Sequence, residues 1–212
     1  QVSAFLDTFL ASFLVSGSIS YLYYANRIFQ LPLALFAIAT ATALFPRIAR
    51  YLKNGDEKKA KENLTKAFWF LAFLLTASTI GGMVLSQEIT WLLFQRGAFS
   101  AQDTTNTTMV LQMYMLGLLP FGLQKLFVLW LYAKEMQGKA AKIATISLAT
   151  YIVLALAFIS PLGVSGLALA SSLGGYVSFI FTLRVFGFSD FLSMLRSKNT
   201  LYLILGTILF TV

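Results

Sequence analysis

Five long apolar runs divide this sequence, and each is long enough to cross a membrane as an α-helix. They occupy residues 19–45, 67–94, 109–133, 140–159 and 164–186. A helix rises about 1.5 Å per residue, so about 20 residues cross a hydrocarbon layer about 30 Å thick. Only helices and closed β-barrels satisfy their backbone hydrogen bonds in lipid, and these runs lack the period-two alternation of barrel strands. The runs therefore predict an all-α polytopic membrane protein.

Two shorter apolar runs lie near the ends of the chain. Residues 2–15 and 200–212 are each shorter than the roughly 20 residues that a complete crossing needs. We therefore expect five complete transmembrane helices and two truncated ones, as in a piece of a longer polytopic protein. No cationic leader precedes the first apolar run, so we expect no signal peptide.

The composition narrows the function classes. Hydrophobic residues make up 58% of the chain and charged residues 11%, whereas soluble domains contain about 25% charged residues. The chain has no Cys and no His, which removes thiol nucleophiles, Ser-His triads and the usual ligands of zinc and haem. We expect no metal, no cofactor and no enzyme. The net charge of +8 suits a membrane surface better than nucleic acid, so we expect no nucleic-acid partner.

Basic residues are concentrated in alternate connecting segments. Segments 46–66, 134–142 and 184–198 together contain 13 of the 16 Lys and Arg residues. The other connections contain a single basic residue, Arg96. Because basic connections stay on the cytoplasmic side of a membrane, we predict that segment 46–66 is cytoplasmic.

Three local patterns predict structure rather than function. Asp56 and Glu57, followed by several lysines, predict a short amphipathic helix on the membrane surface. Ser100 and Asp103 have the spacing of a capping box at the start of a helix. Small residues recur at every fourth position from 166 to 178. This stripe predicts close packing of two helices, with a sliding surface in a moving transporter as the alternative.

Five polar residues are not readily assigned to a membrane interface. They are Asp7, Asn26, Arg27, Gln30 and Lys125. An ionisable side chain at mid-bilayer costs at least about 2.5 to 3.5 kcal/mol, so such residues are candidates for function. Asp7 and Arg27 flank the turn at 16–17 almost symmetrically, which puts both about 14 to 15 Å from it along their helices. Side chains of opposite charge at one depth can form an ion pair.

The two cations have more than one interpretation. Arg27 shares a helix face with Gln30, which suits a water-filled cavity or a polar ligand. Alternatively, Arg27 extends to the outer headgroups or pairs with Asp7. Lys125 either extends to the inner headgroups or faces the same cavity, where the two cations would suit an anion such as a phosphate. Pro32 predicts a distortion of the helix that carries Arg27.

Three blocks of this sequence resemble a known family. Residues 7–46, DTFLASFLVSGSISYLYYANRIFQLPLALFAIATATALFP, are similar to the seventh and eighth helices of the bacterial lipid II flippase family MurJ, also called MviN. Residues 93–104, LFQRGAFSAQDT, resemble the family's Phe-x-x-Gly-x-Phe loop. Residues 125–144, KLFVLWLYAKEMQGKAAKIA, resemble a segment with a recurring Lys and a Tyr-x-basic pattern. The resemblance covers nearly the whole chain.

This resemblance implies a fold and a function. Residues 1–186 would form the second six-helix lobe of a two-lobe transporter, with its first helix truncated. Residues 187–198 would be a cytoplasmic connector, and residues 199–212 would begin a further transmembrane helix. The family belongs to the multidrug/oligosaccharidyl-lipid/polysaccharide exporter superfamily. Its members flip lipid II, an undecaprenyl-diphosphate disaccharide-pentapeptide, from the inner to the outer leaflet of the bacterial cytoplasmic membrane by alternating access.

The resemblance also implies site residues and partners. Arg27 matches a cavity arginine implicated in binding the diphosphate, Gln30 stands where some members have Glu, and Lys125 matches a commonly basic position. With Asn26 and Asp7, these residues form the candidate substrate-binding set. The expected partners are lipid II, membrane lipids and the N-terminal lobe, and the coupling ion is left open. The alternatives are a cation-coupled drug exporter or a lipid-linked polysaccharide exporter of the same superfamily, and a non-transporting membrane scaffold.

Overall fold

The computed structural model describes residues 2–195, and almost all of them are helical. The elements are α1 (Val2–Ala11), α2 (Ser18–Pro32), a π-helical segment (Leu33–Ile38), α3 (Ala39–Lys53), α4 (Glu57–Val84), α5 (Ser86–Phe94), α6 (Ala101–Leu116), α7 (Leu118–Ala133), α8 (Gln137–Phe186) and α9 (Phe188–Leu195). The helix expected from residue 199 lies outside the described residues, as does the end of the predicted connector at 196–198.

Several of these helices are long and apolar enough to cross a membrane. Within the described residues they are Ser18–Lys53, which joins α2, the π-helical segment and α3, together with α4 and α8. The pair α6 and α7, bent by 41° at Gly117, is a fourth if it forms one span. The prediction of a helical polytopic membrane protein is thereby confirmed.

The 50 residues of α8 form two helices rather than one. The backbone reverses at Gly163, whose φ of 57° and ψ of −134° are not helical. The hydroxyl of Ser147 donates a hydrogen bond of 2.8 Å to the carbonyl of Gly174, although 27 residues of straight helix would span about 40 Å. The two halves therefore pack against each other, and Gly166 and Gly174 of the small-residue stripe lie in their contact. Ser178 at the end of the stripe faces α7 instead, where it accepts a hydrogen bond from Gln124.

The helix that carries Arg27 is distorted immediately after Pro32. Proline has no backbone N–H, so the helix loses one of its regular hydrogen bonds there. The next six residues, Leu33–Ile38, adopt π-helical geometry, and α3 then continues to Lys53. The distortion predicted from Pro32 is confirmed, and it takes the form of a π-helical segment within a continuous helix.

The prediction of a short surface helix after Asp56 is wrong. Helix α4 runs from Glu57 to Val84 without a break, because no Gly or Pro interrupts it before Gly81. The basic residues after Glu57 are the first turns of this long helix. Asp56 caps it by accepting a hydrogen bond from the N–H of Lys59. The Lys59 side chain, followed by that backbone bond, holds the pKa of Asp56 below its ordinary value.

The predicted capping box at Ser100 is confirmed. The Ser100 hydroxyl accepts from the N–H of Asp103 at 3.2 Å, and the Asp103 carboxylate accepts from the N–H of Ser100 at 2.8 Å. Asp103 also accepts a 2.7 Å hydrogen bond from the Tyr21 hydroxyl. Because Tyr21 belongs to α2, this bond attaches the start of α6 to the first turns of α2.

Helix α9 packs against the opposite end of the bundle. The Phe191 ring contacts the rings of Phe68, Phe127 and Phe179, and the Asp190 carboxylate lies 2.9 Å from the Lys61 ammonium. These contacts fasten α9 to α4, α7 and α8.

The end of α7 is attached to the start of α4 by another ion pair. The Lys134 ammonium lies 2.9 Å from the Glu57 carboxylate. The two ion pairs therefore gather the start of α4, the end of α7 and α9 at one end of the bundle.

Candidate functional site

A polar cleft lies between α1 and α2 and extends to α6. It encloses about 270 Å³. Its lining includes Asp7 from α1, Tyr23, Asn26, Arg27 and Gln30 from α2, and Tyr114 from α6. The structure thus brings together four of the five candidate residues in one cleft.

Arg27 is exposed in this cleft and is held by the residue one turn before it. Its Nη2 donates a 2.9 Å hydrogen bond to the Tyr23 hydroxyl. The centre of its guanidinium lies 4.8 Å from the centroid of the Tyr23 ring. Among residues 2–195, no carboxylate lies within ion-pair distance of Arg27. Its positive charge is therefore not neutralised by an acidic side chain of the described part.

The two amides on α2 pair with each other. Gln30 Nε2 donates a hydrogen bond to Asn26 Oδ1, as expected of residues four apart on one helix. On the adjoining face of α2, Phe29 stacks against Tyr114 of α6 with 5.5 Å between ring centroids. This stacking fixes the rotation of α2, so that the amides and Arg27 line the cleft.

Asp7 has a different partner from the one considered in the sequence analysis. Its carboxylate accepts a hydrogen bond from the hydroxyl of Tyr151 on α8. Within the described residues it forms no ion pair with Arg27, although both line the cleft. Asp7 is half-buried and connects α1 to α8. The cleft therefore contains one carboxylate and one guanidinium that do not pair with each other.

Lys125 does not line this cleft. It is exposed on α7 between buried neighbours, Leu126 and Leu123, and it has no hydrogen bond or ion pair with any described residue. The rotation of α7 decides this, because the apolar face of the helix turns inward and carries Lys125 outward. The structure does not bring Lys125 and Arg27 together within the described part of the chain.

Three tyrosines of the site were not candidates in the sequence analysis. Tyr23 contacts Arg27, Tyr114 forms part of the wall, and Tyr151 donates to Asp7. A tyrosine in an apolar run usually packs or marks an interface, so composition and spacing do not distinguish these three. The only sequence signal is the four-residue spacing between Tyr23 and Arg27.

The cleft chemistry favours an anionic or strongly polar ligand. A guanidinium presents five N–H groups in a planar fork that matches phosphate and carboxylate oxygens. Amide groups beside it add donors and acceptors. Within residues 2–195 no group of three acidic, His or Cys side chains is arranged to hold a metal ion.

Comparison with known proteins gives consistent matches. The sequence profile of the family described as "Lipid II flippase MurJ" matches residues 1–210. The "Probable lipid II flippase MurJ" of Helicobacter pylori strain J99 is 56% identical over 205 residues, which is 97% of this chain and 45% of that protein. The Rhizobium meliloti protein of the same description is 36% identical over 178 residues, covering 84% of this chain and 33% of its own length.

A solved structure matches the fold as well. It is described as "Lipid II flippase MurJ, inward closed conformation", and it superposes with a TM-score of 0.82 at 27% sequence identity. The match covers 100% of this chain and 50% of that one. The chain therefore spans about half the length, or less, of these similar proteins.

Proposed function

The chain belongs to the lipid II flippase MurJ family, and on that premise we propose that it is part of a transporter that flips lipid II. Transport runs from the inner to the outer leaflet by alternating access. The proposed partner is the N-terminal lobe of the same protein, and the coverage of only 45% of the Helicobacter pylori relative supports a missing part of that size. The observation that carries the proposal is the unneutralised Arg27 guanidinium in a polar cleft of an otherwise apolar helix pair.

Arg27 is the main substrate-binding residue of this proposal. Its planar fork binds two oxygens of the lipid II diphosphate, while Asn26 and Gln30 accept from and donate to the neighbouring polar groups. Asp7 bounds the same cleft from α1. Lys125 contributes a second cation from outside the cleft, on a surface that meets the substrate in the complete transporter.

The proposed topology has five complete crossings. They are Ser18–Lys53, α4 with α5, α6 with α7, and the two halves of α8. The return of α8 at Gly163 and the 41° bend between α6 and α7 support this count. In this arrangement α1 is the end of a truncated first helix, and residues 1–186 are the second lobe. Within the described residues, 187–195 belong to the cytoplasmic connector.

The proposed location is the bacterial cytoplasmic membrane, with segment 46–66 in the cytoplasm. The charge distribution supports this orientation, because basic residues on connecting segments are retained on the cytoplasmic side. The ion pairs of Glu57 with Lys134 and of Lys61 with Asp190 support the placement of three basic segments at one end.

The test is transport by a chimera in which this chain replaces the matching segment of the Helicobacter pylori relative. Exposure of lipid II in the outer leaflet is measured in intact cells with an added enzyme that cleaves it. Arg27→Ala is expected to lower transport about tenfold or more, because charge-assisted hydrogen bonds contribute about 1.5 to 3 kcal/mol. Arg27→Lys is expected to retain part of it, since the charge remains but the fork is lost.

Arg96→Ala is the matched control, because this arginine is exposed in the connection between α5 and α6. All variants are compared at equal abundance in the membrane. Undiminished transport by Arg27→Ala would remove Arg27 from the substrate site and leave it as a residue that extends to the headgroups.

A further inference from the structure

We infer that Tyr23 is a positioning residue, which holds the Arg27 guanidinium in the orientation that meets a phosphate-bearing ligand. The inference rests on the proposed function for the identity of that ligand. Tyr23 makes two different contacts with Arg27: its hydroxyl accepts a 2.9 Å hydrogen bond from Nη2, and its ring centroid lies 4.8 Å from the centre of the guanidinium. A side chain that only marked the membrane interface would need neither.

Helix geometry explains why these two side chains meet. Side chains on an α-helix point toward its N-terminus and cover the turn before their own Cα. Arg27 therefore lies over the turn that carries Tyr23, four residues earlier. Both residues of this contact therefore belong to α2.

The contact with Tyr23 restricts the orientation of the Arg27 guanidinium and uses only one of its N–H donors. Of its five N–H groups, the Tyr23 hydroxyl takes one, at Nη2. The Tyr23 ring lies against the guanidinium, as rings commonly do with arginine. The other donors stay available to a ligand in the cleft. A flexible side chain held in its bound orientation loses less entropy on binding, which raises affinity.

Tyr23 is itself supported by a series of aromatic contacts. Its ring meets the Tyr24 ring edge to face, with 5.7 Å between centroids. Tyr24 in turn contacts Phe94 at 4.6 Å and Phe99 at 5.4 Å. Phe94 ends α5, and Phe99 lies in the connection to α6. The orientation of Arg27 is thus supported from the α5–α6 connection through two tyrosine rings.

The test uses the same chimera, purified in detergent, with Tyr23→Phe and Tyr23→Leu. The first readout is the rate at which phenylglyoxal, an arginine reagent, modifies Arg27, followed by mass spectrometry of the peptide that contains it. The second readout is the affinity for lipid II. Tyr132→Phe is the control, because Tyr132 is exposed at 42% and lies on α7, outside the cleft.

We expect Arg27 to be modified fastest in Tyr23→Leu, more slowly in Tyr23→Phe and slowest in the unaltered protein. Lipid II binding is expected to be weakest in Tyr23→Leu and strongest in the unaltered protein. The ring contact and the hydrogen bond together are expected to change affinity by about tenfold in Tyr23→Leu, and the hydrogen bond alone by about threefold in Tyr23→Phe. Both variants are expected to fold, since the Tyr23 side chain is 53% exposed. The control is expected to match the unaltered protein in both readouts.

Two results would overturn the inference. One is an unchanged modification rate of Arg27 in Tyr23→Leu, whatever happens to affinity. The other is faster modification with unchanged lipid II affinity. A failure of the proposed function is seen separately, because the unaltered chimera would then not bind lipid II. In that case the reagent still determines whether Tyr23 holds Arg27.

Discussion

Gly17 shapes the turn that brings α1 beside α2. Its φ of 96° lies in the left-handed region, which glycine adopts at little cost. A Cβ atom at this position would lie 2.7 Å from the Tyr21 hydroxyl. The Tyr21 side chain is held by its hydrogen bond to Asp103. The cleft that contains Asp7 and Arg27 therefore depends on a residue that does not line it.

Gly17→Ala is expected to destabilise the protein by more than Gly55→Ala. Gly55 also has a positive φ, of 75°, but a Cβ there would meet no atom within 4 Å. Gly55→Ala thus has only the backbone strain, about 1 kcal/mol. Gly17→Ala adds a clash that displaces Tyr21 from Asp103, for a total of about 2 to 3 kcal/mol. Thermal unfolding in detergent micelles measures the difference, and equal midpoints would contradict it.

Sequence reasoning predicts polar contacts within one helix better than contacts between helices. The pairs Tyr23 with Arg27 and Asn26 with Gln30 are four residues apart, so helical periodicity alone brings them together. The Asp7 partner, Tyr151, is 144 residues away, and no spacing rule connects them. The outward position of Lys125 is unpredictable for a related reason: it depends on the rotation of α7 against its neighbours.

Helix α9 is held against α4, α7 and α8 mainly by aromatic packing. Phe191 contacts three other phenylalanine rings. Met194 is buried, and its carbonyl accepts a 3.3 Å hydrogen bond from Trp69 Nε1. The ion pair of Lys61 with Asp190 is partly exposed, at 34% and 40% of the two side chains. Exposed pairs contribute little, because water screens them.

Phe191→Ala is therefore expected to release α9, whereas Asp190→Asn is not. Loss of the half-buried ring is expected to cost about 2 to 3 kcal/mol. Loss of the ion pair is expected to cost less than about 1 kcal/mol. Limited proteolysis after α8, with thermal unfolding as a second measure, distinguishes the two variants. Equal proteolysis of both variants would contradict the larger contribution of packing.

Element boundaries were predictable where the sequence contains a breaker. Pro161 and Gly163 separate two apolar runs, and the α8 chain reverses there. The interruption at Leu85, between α4 and α5, follows Gly81 and Gly82 by a few residues, but the apolar run 67–94 continues through it and predicts a single helix. The prediction of a short surface helix after Asp56 is wrong because the charge pattern gives no end for a helix, and no Gly or Pro interrupts α4 before Gly81.

The whole molecule has two chemically different ends. At one end, ion pairs gather the start of α4, the end of α7 and α9. At the other end, Tyr21 attaches the first turns of α2 to the start of α6, and Tyr24 attaches them to the end of α5 and the connection after it. Between these ends, only 22% of the most apolar 18-residue stretch of Ser18–Lys53 is buried within the described structure. Exposed apolar surface of this extent is expected of helices that face lipid or another part of the transporter.

Single cysteines test the proposed orientation of these ends. The chain contains no native Cys, so each introduced thiol reports alone. In intact cells, a membrane-impermeant maleimide is expected to label Ala98→Cys but not Lys58→Cys or Lys139→Cys. The latter two are expected to react only after permeabilisation, because they lie on basic segments. Labelling of Lys58→Cys and Lys139→Cys from opposite sides would contradict the proposed number of crossings between them.

The π-helical segment Leu33–Ile38 has a consequence for how this family is aligned. Because its hydrogen bonds run from residue i to i+5, a π-turn holds about one residue more than an α-turn. The extra residue is absorbed locally, so the helix faces before and after it keep their directions. A relative with a one-residue deletion between 33 and 38 would therefore keep its arginine on the same face. Such a gap marks a tolerated indel rather than a rotated helix. An alignment that omits the gap would shift every position after Ile38 by one residue, which corresponds to a rotation of about 100° around the helix axis.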